Sequence, residues 1–116
     1  MPDLDLLVLG AHPDDAEVHA GGLLALCARR GLKAAILDAT CGDLGTRGTA
    51  ETRELEAREA ARILGVDRII LDFPDARFDE SEVFRTKLMA VLRRIRPDVL
   101  VLPHPEDHHP DHRRIF

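Results

Sequence analysis

Four short, nearly continuous apolar runs, at residues 6–9, 34–37, 69–71 and 99–102, alternate in this chain with segments of helical pattern. A strand that is apolar at successive positions has to be covered on both faces, as strands of a parallel sheet are when helices cross over them. Between the runs, 21–30 reads as an apolar helix stopped by Gly31. Segment 50–64 reads as a helix with Ala57, Ala60, Ala61 and Leu64 on one face and Gly65 at its end. Phe84, Leu88, Val91, Leu92 and Ile95 recur at helical spacing, Asp79 with Glu82 resembles a capping box ahead of them, and Pro97 closes that third helix. The expected architecture is therefore α/β: a Rossmann-like parallel sheet with helices on both faces, in a single domain over residues 1–116. With 45% of residues apolar but only 3% aromatic, the core must be aliphatic.

Right-handed crossovers put the carboxyl ends of parallel strands at one edge of the sheet, which is where open α/β sheets bind ligands. The polar segments of this sequence all fall there. Residues 12–15 follow the first run, 40–48 the second, 72–75 the third and 104–112 the fourth. Sequence-distant residues are thus expected to meet in one crevice.

The chemistry is concentrated in His12-Pro13-Asp14-Asp15 and His109-Pro110-Asp111-His112. A histidine and a carboxylate three residues apart can face one ion, with the intervening turn exposing Asp14 to the open side. A second histidine cluster on the same edge supplies a further ligand and one imidazole more. These are the parts of a metal site with a coordination position left for water, and they point to a metal-dependent hydrolase. Two bland alternatives compete: Asp14 and Asp15 as caps of a following helix, and 104–112 as a solvated histidine-rich stretch. Two histidines and a carboxylate suit zinc and also iron(II) or another divalent ion. Gly42, Gly45 and Gly48 keep their loop bare enough for a ligand to approach the backbone.

Composition excludes other classes. The net charge is −5 with acids and bases mixed along the helices, and there is no Trp or Tyr, so neither a phosphate backbone nor stacked bases find a surface here. Nucleic acid is not an expected partner. Asp5 breaks the first apolar run, so no membrane span or signal segment is expected. Cys27 and Cys41 form no CxxC pair, which suits a reducing, cytoplasmic setting.

Taken together, 11–17 (AHPDDAE), Thr40-Cys41-Gly42-Asp43-Leu44-Gly45, the helix opening Thr52-Arg53-Glu54, and 109–112 (HPDH) resemble the PIG-L / LmbE-like zinc-dependent deacetylases. That resemblance implies His12, Asp15 and His112 as zinc ligands, Asp14 as the general base, and His109 as the group stabilising the oxyanion. It further implies Arg53, Asp75 and Gly42 as substrate contacts, with Asp111 orienting a histidine from behind. The implied reaction removes acetyl from an N-acetylglucosamine-containing small molecule. Within the family, the loop Gly42-Asp43-Leu44-Gly45-Thr46-Arg47-Gly48-Thr49 and the segment Asp72-Phe73-Pro74-Asp75 look most similar to the bacillithiol-synthesis deacetylases, which act on N-acetylglucosaminyl malate. A chitooligosaccharide deacetylase and a non-catalytic metal- and sugar-binding fragment are the alternatives. Family members are longer and form homo-oligomers, so the chain is expected to be an N-terminal half, truncated at its C-terminus.

Overall fold

A computed structural model of the protein describes residues 3–40, 49–73 and 82–104. The elements run β1 (Leu6–Gly10), α1 (Asp15–Arg29), β2 (Ala34–Thr40), α2 (Ala50–Leu64), β3 (Asp67–Phe73), α3 (Glu82–Ile95) and β4 (Val99–Val101). All strand pairs are parallel, in the order β3-β2-β1-β4, with Leu6 opposite both Ala34 and Val99.

Strand alternation divides the core in two. Leu7, Leu9, Ala35 and Leu37 pack on one face with Phe84, Val91 and Ile95 of α3. Leu6, Val8, Ala34 and Ile36 pack on the other with Ala16, Ala20, Leu24 and Cys27 of α1. Both faces of the sheet are thus covered, which is why β1 and β2 are buried along their whole length. The expected α/β plan holds.

The helix expected over 21–30 begins six residues earlier. Ala16, Ala20, Leu24 and Cys27 form its buried stripe, and Gly21 and Gly22 lie inside it, where an added Cβ would meet open space. Each glycine costs about 1 kcal/mol of helix propensity, a cost the buried stripe offsets. The early start matters because it draws the acidic turn into the first turn of α1. Helix 50–64 falls where expected, with the Thr49 hydroxyl accepting from the Thr52 amide at its start and left-handed Gly65 at its end. Strands β2 and β3 outrun their apolar cores because Asp38, Thr40 and Arg68 are buried polar residues within them. Asp79, the expected capping residue of α3, lies outside the described residues.

Connectivity reverses at β1. The chain first steps outward from β1 to β2 to β3, then returns to place β4 against the other side of β1. The carboxyl ends of β1 and β4 therefore flank the switch point, the natural crevice of such a sheet. Among the described residues, no helix is long and apolar enough to cross a membrane.

Leu24, fully buried where α1 meets the sheet, measures how strongly that helix is held. Leu24→Ala should lower the unfolding free energy by about 2–5 kcal/mol, read as a fall in the urea midpoint at unchanged slope.

Candidate active site

The turn between β1 and α1 is closed by its own side chains. Asp15, the first helical residue, accepts the backbone N–H groups of Ala11 (3.0 Å) and His12 (2.9 Å) on one carboxylate oxygen, Oδ2. His12 Nδ1 stands 3.6 Å from that same oxygen, and the two side chains are only 15% and 18% exposed. From the neighbouring strand, Thr40 donates both its hydroxyl (2.9 Å) and its amide (3.0 Å) to the Ala11 carbonyl. Gly10 makes the close approach possible, since a Cβ there would lie 3.0 Å from the Asp15 Cβ.

Asp14 takes left-handed torsions, φ 85° and ψ −20°. That conformation costs an L-residue roughly 1–2 kcal/mol, and such strain is typical of functional turns held by their surroundings. Here the Val18 amide bonds the Asp14 carbonyl (3.0 Å) and the Asp15 amide bonds the His12 carbonyl (3.2 Å). Asp14 occupies the N-cap position, yet its side chain makes no capping hydrogen bond. Its carboxylate stands instead at a cleft of about 220 Å³ shared with Pro13, Glu17, Arg53 and Ala57. Partial burial and then the Asp15 charge hold the Asp14 carboxyl above the ordinary range, against the opposing pull of Arg53 and His12.

Arg53 faces the same cleft from α2. It does not join the acidic residues of its own helix: Glu54 is taken by Arg58 (3.3 Å). The Arg53 Nε is buried and has no hydrogen-bond partner among the described residues. An orphaned guanidinium N–H beside an available carboxylate is a ready donor for a ligand oxygen. A second cleft, of about 280 Å³, opens at the switch point between β1 and β4, where Leu9, Asp15, His19, Val101, Leu102 and His104 line it.

The donor set fits part of a metal centre. His12 Nδ1 stands 3.6 Å from Asp15 Oδ2, so an imidazole and a carboxylate lie side by side as a nitrogen and an oxygen donor of the kinds zinc takes. The two N–H groups on Asp15 Oδ2 orient the carboxylate as outer hydrogen bonds orient metal ligands. Among the described residues no third His, Cys, Asp or Glu completes a cluster. Of the residues expected at the site, the structure brings His12, Asp14, Asp15 and Arg53 together. Gly42, Asp75, His109, Asp111 and His112 lie outside the described residues.

A buried charge cluster behind the turn went unread in the sequence. Arg68 donates Nε to Asp38 Oδ2 (2.6 Å), Nη2 to Asp38 Oδ1 (3.0 Å) and Glu17 Oε1 (3.0 Å), and Nη1 to Glu17 Oε2 (3.0 Å) and the Ala57 carbonyl (2.9 Å). All five N–H groups of the guanidinium are satisfied. The Arg68 and Asp38 side chains are 1% and 0% exposed. Burial pushes the Asp38 carboxyl up to about 6 while the Arg68 hydrogen bonds pull it back. For Arg68, burial works against the charge, but the bonds to Asp38 and Glu17 outweigh it and hold the proton more tightly than usual. A carboxylate directly after one apolar run and an arginine directly before the next were the available signal, because a charge at a buried strand position must be paired.

Two variants test the turn. Gly10→Ala should force Asp15 aside and cost about 1–3 kcal/mol by overpacking, measured by denaturant unfolding. At position 14, the Gly variant should be more stable than the Ala variant by roughly 1–2 kcal/mol, since Gly takes left-handed torsions without penalty; the opposite order would contradict the observed backbone.

Residues 7–116 match the protein family described as PIG-L: GlcNAc-PI de-N-acetylase. Diacetylchitobiose deacetylase of Thermococcus kodakarensis is 33% identical over 119 residues, covering 93% of this chain and 45% of the relative. A probable N-acetyl-alpha-D-glucosaminyl L-malate deacetylase 2 of Bacillus cereus is 28% identical over 121 residues, covering 92% and 55%. Among solved structures, the conserved protein TT1542 of Thermus thermophilus superposes with a TM-score of 0.91 at 49% identity, covering 97% of this chain and 52% of that one. The chain thus spans about half the length of these relatives. With almost its whole length matched and the His-Pro-Asp-Asp turn set at the edge of the sheet, the chain belongs to the PIG-L (GlcNAc-PI de-N-acetylase) family.

Proposed function

We propose that this chain carries the metal-binding part of a zinc-dependent deacetylase that frees the amine of an N-acetylglucosamine-containing small molecule, with N-acetylglucosaminyl malate as the favoured substrate. The observation that carries this reading is the meeting of His12, Asp15 and a strained, uncapped Asp14 beside the orphaned Arg53 Nε. His12 and Asp15 would hold the ion, with His112 as the third ligand. When bound, zinc supplies Lewis acidity and lowers the pKa of water to about 7.

The chain's own groups account for the rest. Arg53, with Asp75 and the backbone at Gly42, binds and orients the sugar. Asp14 accepts a proton from the attacking water. The water oxygen joins the acetyl carbon, the C–N bond breaks, and that proton passes to the departing amine, giving acetate and a free amino sugar. His109 donates a hydrogen bond to the oxygen that gains charge on the way, held in orientation by Asp111. The acidic, mixed surface supports a small-molecule partner over nucleic acid, and a cytoplasmic homo-oligomer belongs to the same reading. Deacetylation of diacetylchitobiose is the second substrate reading, favoured by the higher identity of the Thermococcus kodakarensis relative.

Acetate release from N-acetylglucosaminyl malate and from diacetylchitobiose, after chelation and zinc restoration, tests the function. Turnover should depend on added zinc. Asp14→Asn, which tolerates left-handed torsions, should keep fold and zinc content while losing roughly 10²–10⁴-fold in rate. Zinc binding without acetate release from any N-acetyl sugar would instead mark a non-catalytic binding module.

A further inference from the structure

The geometry assigns Arg68 a positioning role: by bonding Glu17 of α1, Asp38 of β2 and the Ala57 carbonyl of α2 at once, it fixes where the Asp14 turn stands relative to Arg53. This rests on the deacetylase reading only for its kinetic consequence.

Three observations lead to it. Glu17 is two residues past Asp15 and belongs to the first turn of α1, so a bidentate bond to it anchors the helix end from which Asp14 and Asp15 project. Ala57 lies one helical turn after Arg53, and its carbonyl shares the Arg68 Nη1 with Glu17. Glu17, Ala57, Asp14 and Arg53 all line one cleft, so a single nitrogen ties its two walls together. On the third side, Asp38 stands opposite Gly10 in the β1–β2 register, the glycine against which Asp15 packs.

Stability alone does not account for such a cluster. Well-packed apolar residues often stabilise as much as buried ion pairs or more, whereas charge clusters fix geometry. An aliphatic side chain at position 68 would fill the space but would hold neither α1 nor α2 at a set angle. A displacement of about 1 Å of reacting groups costs on the order of 10²-fold in rate.

The test compares Arg68→Lys and Glu17→Gln with Val91→Ala, a core variant on the α3 face of the sheet, in the full chain and well below each melting temperature. Two quantities are read: kcat and KM for acetate release, and hydrogen exchange of the Ala11 and His12 amides, which bond Asp15. Arg68→Lys keeps the charge but cannot fork to both carboxylates, and Glu17→Gln keeps the shape but not the charge. Both should lower kcat by roughly 10²-fold and speed exchange at Ala11 and His12, while Val91→Ala lowers the melting temperature and changes neither. Lowered melting temperatures with unaltered kcat and exchange would overturn the role. If the unaltered protein releases no acetate from any N-acetyl sugar, the deacetylase reading fails, and exchange alone decides: faster exchange in the two variants supports the role and unchanged exchange overturns it.

Discussion

A guanidinium removed from water has to find five acceptors, and Arg68 finds them on three different elements. Arg68 on β3 and Asp38 on β2 are both placed by the sheet, and the guanidinium then reaches from the sheet to Glu17 of α1 and the Ala57 carbonyl of α2. Apart from it, α1 meets the sheet through Ala16, Ala20, Leu24 and Cys27, apolar contacts that bury surface but carry no hydrogen-bond direction. Directional hydrogen bonds supply what an alanine-rich layer lacks. The result is a turn whose backbone is strained in one place and over-determined everywhere around it.

Over-determination is also visible one level down. The Asp15 carboxylate holds the Ala11 and His12 amides, Thr40 holds the Ala11 carbonyl twice, and Gly10 leaves the space in which Asp15 sits. Each contact comes from a residue with another duty in the fold: strand end, helix start, neighbouring strand. The candidate site is therefore less an addition to the sheet than the way its central strand ends.

Much of this was legible in the sequence, for a simple reason. Apolar runs at 6–9 and 34–37 admit burial on both faces and nothing else, so the parallel sheet and the edge carrying the polar segments follow from pattern. Gly65 marks the end of α2 as its left-handed torsion requires. What escaped was decided by pairing in three dimensions. The apolar pattern opens a helix only at Gly21, yet the stripe from Ala16 to Cys27 starts it at Asp15 and carries it through Gly21 and Gly22. Glu17 was visible within its motif but silent, because its partner lies 51 residues away. Nothing in the sequence shows that the Arg53 Nε is buried without a hydrogen-bond partner among the described residues while Arg58 takes the nearby Glu54.

The left-handed backbone at Asp14 also narrows the routes by which the site can change. Glutamate, the usual exchange for aspartate, keeps the charge but has a longer side chain less suited to bonding its own backbone, so it gains little of the tolerance that lets aspartate stand at positive φ. The residues that accept such torsions most easily are asparagine and glycine, and neither carries a carboxylate. Drift at this position therefore passes from a charged group to none in one step, with no graded intermediate. Asparagine or glycine would keep this backbone without a charge, and a chain that needs a carboxylate here is confined to aspartate.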